Sequence, residues 1–144
     1  MEPLDLTKHA PRSPKEKLAG ILFLPRTIDK IRASLPGGNI GAYHLPGGSS
    51  RLMEVLGITP EQLTEAVKNA QTDEDVAAWI AANGTLEHVE MFNAGFLGFR
   101  VADFDEETRT GWLAEHATLK PEEIDLVHEA LIEDDRRSFA AVAN

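Results

Sequence analysis

Residues 59–84, TPEQLTEAVKNAQTDEDVAAWIAANG, decide the fold class because they contain two complete helix signals in succession. Thr59 precedes a proline and stands three positions before a glutamine, which is the pattern of a capping box with proline in the first helical turn. Thr72 precedes three acidic residues, and Asn83-Gly84 is a typical helix end. Apolar residues follow each cap at spacings of three and four. The segment therefore predicts two adjacent helices that form a hairpin.

Apolar residues at helical spacing predict further helices on both sides of this hairpin. Ser13-Pro14 is expected to start a first helix that carries the apolar residues from Leu18 to Leu22. Pro25 is expected to break this segment before a second helix near 26–35. Later helices are expected at 86–98, after the capping pair Asp103 to Glu106, and from Pro121 onward, with residues 134–142 either continuing the last helix or packing separately.

The expected fold is all-α, a compact single-domain orthogonal helical bundle of six to eight short helices, because no heptad repeat is sustained. Residues 1–144 are taken as one helical domain. Within it, residues 1–13 form an extended N-terminal arm, and residues 36–48 form a Gly/Pro-rich loop. Two copies of Leu-Pro-Gly-Gly, at 35–38 and 45–48, each predict a turn with a positive φ at the first glycine.

Composition excludes several classes of protein. The chain has 144 residues with 42% hydrophobic and 26% charged residues, which is ordinary for one globular domain. The absence of cysteine excludes disulfides, thiolate metal sites and a cysteine nucleophile. No apolar run approaches the length of a membrane helix, and the start of the chain lacks the pattern of a signal peptide. We therefore expect a cytoplasmic protein with no membrane partner.

Charge is distributed unevenly along the chain. The net charge is −10, which disfavours nucleic acid as a partner. Residues 1–51, the basic head, carry a net charge of +4, whereas residues 52–144, the acidic body, carry −14. Solvated faces that keep the protein soluble are the simpler interpretation. The alternative is a contact surface by which the basic head meets an acidic protein partner, or the acidic body of a second copy in a homo-oligomer.

The chain carries no complete signature of a metal or catalytic site. It lacks paired Glu-x-x-His motifs and His-Glu-x-x-His, and His128 lies on an apolar stripe that predicts a hydrogen-bonded core or edge histidine. His88 and His116 are predicted at helix surfaces. There is no Gly-x-Ser-x-Gly, and the glycines from Gly37 to Gly41 do not follow a predicted strand. No metal and no cofactor are expected, and catalytic activity is left open.

One segment merits attention as an anion site. Gly47-Gly48-Ser49-Ser50-Arg51 is a glycine turn that leads into a helix start, where free N–H groups attract anions. The purely structural alternative is that a serine of this segment is the N-cap of the helix. Asp29 and Arg32 could likewise form only a surface pair, while Arg12 and Arg26 could bond carbonyl groups at helix ends. The candidate ligand-binding residues are Arg26, Lys30, Arg32, Tyr43, His44, Ser49 and Arg51.

Several of these residues also belong to a recognisable pattern. The chain contains Leu4-Asp5-Leu6-Thr7-Lys8, Pro11-Arg12-Ser13-Pro14, Leu24-Pro25-Arg26, Ile28-Asp29-Lys30, Arg32-Ala33 and Gly41-Ala42-Tyr43-His44. This pattern resembles a bacterial family of proteins of about this length that is known only as a domain of unknown function. Near the C-terminus the family has Asp-Asp-Tyr, whereas Asp134-Asp135 is followed here by arginine. The resemblance implies a cytoplasmic bacterial protein and no particular activity.

Two functions follow as hypotheses. The first is a non-enzymatic binding or interaction domain. The alternative is a small-molecule binding protein, or an enzyme, that uses the basic N-terminal third to hold an anionic metabolite. In that alternative His44 is the obvious proton carrier, because an ordinary histidine titrates near neutral pH.

Overall fold

A computed structural model describes residues 1–143, with side chains described through residue 140. Within that range the chain forms seven α-helices: α1 (Leu24–Ser34), α2 (Gly48–Leu56), α3 (Pro60–Asn69), α4 (Asp73–Asn83), α5 (Val89–Gly98), α6 (Glu106–Glu115) and α7 (Val127–Ala143). A short antiparallel hairpin of β1 (Lys17–Leu18) and β2 (Ile21–Leu22) precedes α1, and 3₁₀ turns lie at Val101–Asp103 and Pro121–Glu123. The expected all-α fold with six to eight helices is confirmed.

The chain divides into two compact units, Met1–Asn93 and Ala94–Asn144. The first unit contains the hairpin and helices α1 to α4, and the second contains α6 and α7. Helix α5 begins in the first unit and ends in the second. The single-domain interpretation of the sequence stays a prediction.

Helix α1 lies at the centre of the first unit. Its side chains Leu24, Ile28 and Ile31 are completely buried, and α2, α3 and β1 pack against it. Completely buried residues of the three following helices complete this core: Leu52, Leu56, Leu63, Val67, Val76 and Ile80. Burial of such side chains is the main favourable term in folding, at about 1.5–3 kcal/mol each.

The N-terminal arm is attached to this unit by backbone hydrogen bonds. Leu6 N–H donates to the Asn39 carbonyl at 2.8 Å, and Asn39 N–H donates to the Leu4 carbonyl at 2.9 Å. Leu6 is 1% exposed. The Met1 ammonium donates to the carbonyl of Val67 at 3.1 Å, near the end of α3. The arm is therefore attached to the first unit and contributes the Leu6 side chain to its core, and residues 6–8 within it form a turn.

The cap chemistry predicted for the starts of α3 and α4 is confirmed. The Thr59 hydroxyl accepts from Gln62 N–H at 3.1 Å, and the Gln62 side chain accepts from Thr59 N–H at 2.9 Å. Thr72 and Asp75 make the same reciprocal pair at the start of α4. The capping pair predicted at Asp103 and Glu106 is wrong, because Asp105 accepts from Thr108 N–H at 2.7 Å and caps α6. In each case the side chain satisfies a donor that the first turn leaves free.

The prediction of a helix beginning at Ser13-Pro14 is wrong. Residues 17–22 form the β1–β2 hairpin, in which Lys17 pairs with Leu22 and Leu18 with Ile21. The turn residues Ala19 and Gly20 have φ of 51° and 77°, as a tight hairpin turn requires. The spacing that imitates a helix arises because Leu18 and Ile21 face each other across the turn. Pro25 does not break a helix but lies in the first turn of α1.

Two further boundaries differ from the sequence prediction. Pro121 starts only a 3₁₀ turn, and α7 begins later, at Val127. The segment that could have packed separately continues α7 to Ala143. Helix α5 begins at Val89, three residues later than expected.

The positive φ predicted for two Pro-Gly turns is confirmed. Gly37 has φ 91° and Gly47 has φ 100°, a region that only glycine occupies readily. Between them the chain is irregular and mostly exposed, and it carries Tyr43 and His44.

None of the helices in the described range is long and apolar enough to cross a membrane.

Candidate functional site

Helix α1 carries Arg26, Thr27 and Lys30 on one side, next to the ring of the preceding residue Phe23, and we call these four residues the α1 polar face. These positions are three or four apart, so they lie on one side of the helix, and the apolar core residues lie on another. Arg26 is 1% exposed, Thr27 is completely buried and Lys30 is 8% exposed. Lysine and arginine are among the residues least often buried in proteins. Two buried cations one turn apart therefore make this face the leading candidate site.

Each cation lies against an aromatic ring. The Arg26 guanidinium carbon is 5.6 Å from the centre of the Tyr43 ring, and the Lys30 ammonium is 5.6 Å from the centre of the Phe23 ring. Both distances lie in the range of cation–π attraction. Arg26 Nη1 also donates to the Arg12 carbonyl at 3.3 Å. Tyr43 is thus brought from the Gly/Pro-rich loop to the α1 polar face.

The start of α2 packs against the same face. Ser49 is completely buried, and its hydroxyl lies 2.9 Å from the Thr27 hydroxyl. A Cβ atom placed on Gly48 would come within 2.8 Å of the Phe23 ring, so glycine is required for this close approach. The serine N-cap interpretation is wrong, because Gly47 is the N-cap and the start of α2 has no side-chain cap. The Ser49 hydroxyl bonds Thr27 instead.

Phe23 adopts a strained backbone conformation. Its φ of 72° and ψ of −12° are left-handed, which is an outlier for a bulky residue. Such a conformation costs about 1–3 kcal/mol and persists only when the surrounding structure imposes it. Here it ends the hairpin, starts α1 and places the ring between Lys30 and Gly48.

Arg32 and Arg51, two of the predicted site residues, bond groups outside this cluster. Arg32 Nε donates to the Glu2 carbonyl at 2.7 Å and so attaches the arm. The Arg51 side chain is 71% exposed and pairs with Glu54 at 3.4 Å. His44 is exposed on the loop. The residues that gather are Arg26, Lys30, Tyr43 and Ser49.

A second charged cluster in this unit was missed by the sequence analysis. Arg12 donates to the Asp29 carboxylate at 3.1 Å and to the Asp73 carboxylate at 2.6 Å. Asp29 is 4% exposed, so it does not form the surface pair with Arg32 that the spacing allowed. Burial lowers the pKa of Arg12, but the hydrogen bonds to Asp73 and then Asp29 outweigh it and raise that pKa overall. Arg12 therefore remains a cation.

The second unit contains its own polar cluster. His116 Nδ1 lies 2.7 Å from an Asp134 oxygen, and the Thr118 hydroxyl donates to the same carboxylate. The Trp112 ring packs on His116 at 4.3 Å between ring centres. The prediction of a surface His116 is wrong, because its side chain is only 15% exposed. The prediction of a buried His128 is confirmed, at 4% exposure.

No metal centre is formed by the residues that the structure describes, since no three His, Asp or Glu side chains are placed to share an ion. His88 is 52% exposed, as predicted. The α1 polar face and the start of α2 together offer a guanidinium, an ammonium and two hydroxyl groups.

Comparison with protein families gives the relationship of the chain. The model of a domain of unknown function, DUF5069, matches residues 8–137. The chain belongs to this family. The DUF5069 match covers both compact units and includes the whole α1 polar face, and it confirms the resemblance noted in the sequence. No curated protein matches the chain significantly.

Proposed function

We propose that this DUF5069 chain is a binding domain for a small anionic ligand, and that Arg26 and Lys30 of the α1 polar face hold the anion. One observation carries the proposal: both cations are more than nine-tenths buried, one helical turn apart, beside the hydroxyl groups of Thr27 and Ser49. Guanidinium and ammonium groups with nearby hydroxyls are the usual ligands of carboxylate and phosphate.

Energetics support a binding role over a purely structural one. Removing a charged side chain from water costs several kcal/mol, and a buried charge is weak evidence for stability. Buried charged groups concentrate at functional sites. The strained backbone of Phe23 adds to this, because such strain also clusters at binding sites.

The geometry favours binding without chemistry. The Ser49 hydroxyl is hydrogen-bonded to Thr27 rather than to a histidine, so it lacks the adjacent base that activates a serine. His44 lies on the exposed loop. The loop that carries Tyr43 is mostly exposed and lies beside Arg26.

The test compares thermal stability in phosphate, sulfate and chloride at equal ionic strength. Phosphate or sulfate is expected to raise the melting temperature of the wild type more than chloride does, because a ligand that binds only the folded state stabilises it. Lys30→Gln and Arg26→Gln should lose this extra shift. Arg51→Gln is the matched control, since it removes an exposed cation of the same head.

Equal responses of wild type, both site variants and the control would contradict the proposal. Sulfate and phosphate also stabilise proteins generally by exclusion from their surface, and that effect is common to all four proteins. The comparison therefore isolates the site-specific part. Lys30→Gln keeps the test valid if Arg26→Gln does not fold.

A protein-interaction role is the second candidate. Met91 is 71% exposed and Leu86 is 49% exposed, and both are large apolar side chains in the first unit. The basic head supports it less, because Arg12, Arg26 and Lys30 are engaged inside the unit. Light scattering across a salt series tests it: a chain that stays monomeric at high concentration and low salt contradicts self-association. An acidic protein partner and a cytoplasmic location stay predictions.

A further inference from the structure

A groove of about 400 Å³ lies between α3 and α4 in the first unit, away from the residues of the proposed anion site. Ala66 and Ala70 line it, and both are almost completely buried. The half-buried Trp79 lines it as well. The volume lies in the range of small-molecule sites.

The polar groups of the groove are acidic. Glu65 and Asp75 both line it. Asp75 accepts hydrogen bonds from Gln71 N–H at 3.0 Å and Thr72 N–H at 3.2 Å, and these bonds lower its pKa, so it is charged at neutral pH. Glu65 accepts from Asn69 Nδ2 at 3.3 Å.

Neither carboxylate has a basic partner among the side chains described. The ion pairs of the first unit involve other carboxylates, those of Asp29, Asp73, Glu54 and Glu87. Two carboxylates without a basic side-chain partner therefore line the same groove as the Trp79 ring. This is the reverse of the α1 polar face, where cations lie on aromatic rings.

The geometry points to a binding site for a small organic ammonium cation in this groove, with the charge between Glu65 and Asp75 and its alkyl groups on Trp79. Tryptophan is the best aromatic partner for a cation, and recognition of quaternary ammonium groups is a common use of such rings. A divalent metal fits less well, because Asp75 is committed to the helix cap and no third ligand is placed nearby. An inorganic anion is repelled.

The test uses choline chloride as the probe and 3,3-dimethylbutan-1-ol as its neutral analogue of the same shape. The chain has two tryptophans, so NMR of the indole N–H groups resolves Trp79, assigned by its loss in Trp79→Phe. We expect a saturable shift of the Trp79 signal with choline, and at most a much weaker one with the alcohol. Sodium chloride at the same concentration controls for ionic strength.

A matched pair of variants on α3 completes the test. Glu65→Gln removes a lining carboxylate and should weaken choline binding about three- to fivefold, the scale of one exposed cation contact. Glu61→Gln removes an exposed carboxylate of the same helix that does not line the groove, and it should leave binding unchanged.

Three results would overturn the inference. The first is no saturable shift up to about 100 mM choline, which is weaker than any useful site. The second is equal binding of the neutral alcohol, which would make the groove merely apolar. The third is an equal effect of the two variants, which would reflect general charge only.

Discussion

Arg12 joins three segments of the first unit, and its removal gives a sharp test of how the arm is held. Its guanidinium donates to Asp29 on α1 and to Asp73 at the start of α4, and its own N–H donates to Asp29 at 2.8 Å. The Asp29 side chain is 6% exposed, that of Asp73 23%, and that of Arg12 31%. The change Arg12→Ala leaves a buried carboxylate with only the backbone donor.

The magnitude follows from this partial burial. Breaking a buried ion pair by removing one partner costs about 3–5 kcal/mol, whereas exposed pairs contribute about 0–1 kcal/mol. Arg12 is a third exposed and Asp29 keeps the backbone bond, so we expect a loss of about 2–3 kcal/mol. Arg12→Lys should recover about half of the lost free energy of unfolding, because an ammonium lacks the planar set of N–H donors with which a guanidinium bonds two carboxylates.

Urea denaturation followed by circular dichroism measures the free energy of unfolding of these variants. Arg51→Ala is the control, since both members of its pair with Glu54 are about 70% exposed and its loss should be within error. A double-mutant cycle with Asp73→Asn should give a coupling of about 1 kcal/mol between the two side chains. If Arg12→Ala lies within about 0.5 kcal/mol of wild type, or Arg12→Lys matches wild type, the network is not what holds the arm.

Three other predictions follow from the structure. Thr59→Ala should cost about 1 kcal/mol in urea denaturation because it removes an N-cap, and an unchanged midpoint would show that the capping box is not stabilising. Gly38→Ala should destabilise the fold, because its Cβ would lie 2.6 Å from a backbone carbonyl oxygen of α1. Gly111→Ala on α6 meets open space and should stabilise the fold by about 0.5–1 kcal/mol. Thermal melts in which both variants shift the melting temperature in the same direction would contradict this. Arg137 lowers the pKa of Glu123 to about 2, so the contribution of this ion pair to stability is complete above about pH 4.5 and is lost as the pH falls towards 2. Arg137→Gln should therefore make stability less dependent on pH in this acidic range. An unchanged pH dependence would refute the role of the pair.

The sequence predicts helix starts well where the determinant is local. Thr59 and Gln62 are three residues apart, and their bonds form in any chain that turns helical there. The hairpin at residues 17–22 was missed because a tight turn and a helix both bring residues three apart into contact. The deciding feature is the positive φ of Ala19, which a composition pattern does not encode, since alanine favours helix.

The candidate site is likewise predictable from the sequence only where its residues are close together in the chain. Arg26 and Lys30 could be predicted as a pair because they are one turn apart on a predicted helix. The contact from Arg12 to Asp73 spans 61 residues, and a single sequence carries no signal for such a distance. Burial was also hidden, because charged residues in an amphipathic pattern normally face solvent.

Helix α1 shows why that normal expectation fails here. An amphipathic surface helix leaves its charges in water, but nine of the eleven residues of α1 are buried, and Arg26, Asp29 and Lys30 are among them. Asp29 is stabilised there by Arg12, which arrives from the arm, and Lys30 and Arg26 lie on rings that arrive from the hairpin and the loop. Packed hydrophobic side chains would serve stability as well or better than buried charges. Under the proposed function, the arm, the strained Phe23 and the glycine at the start of α2 are the parts that hold the two cations of the anion site in place.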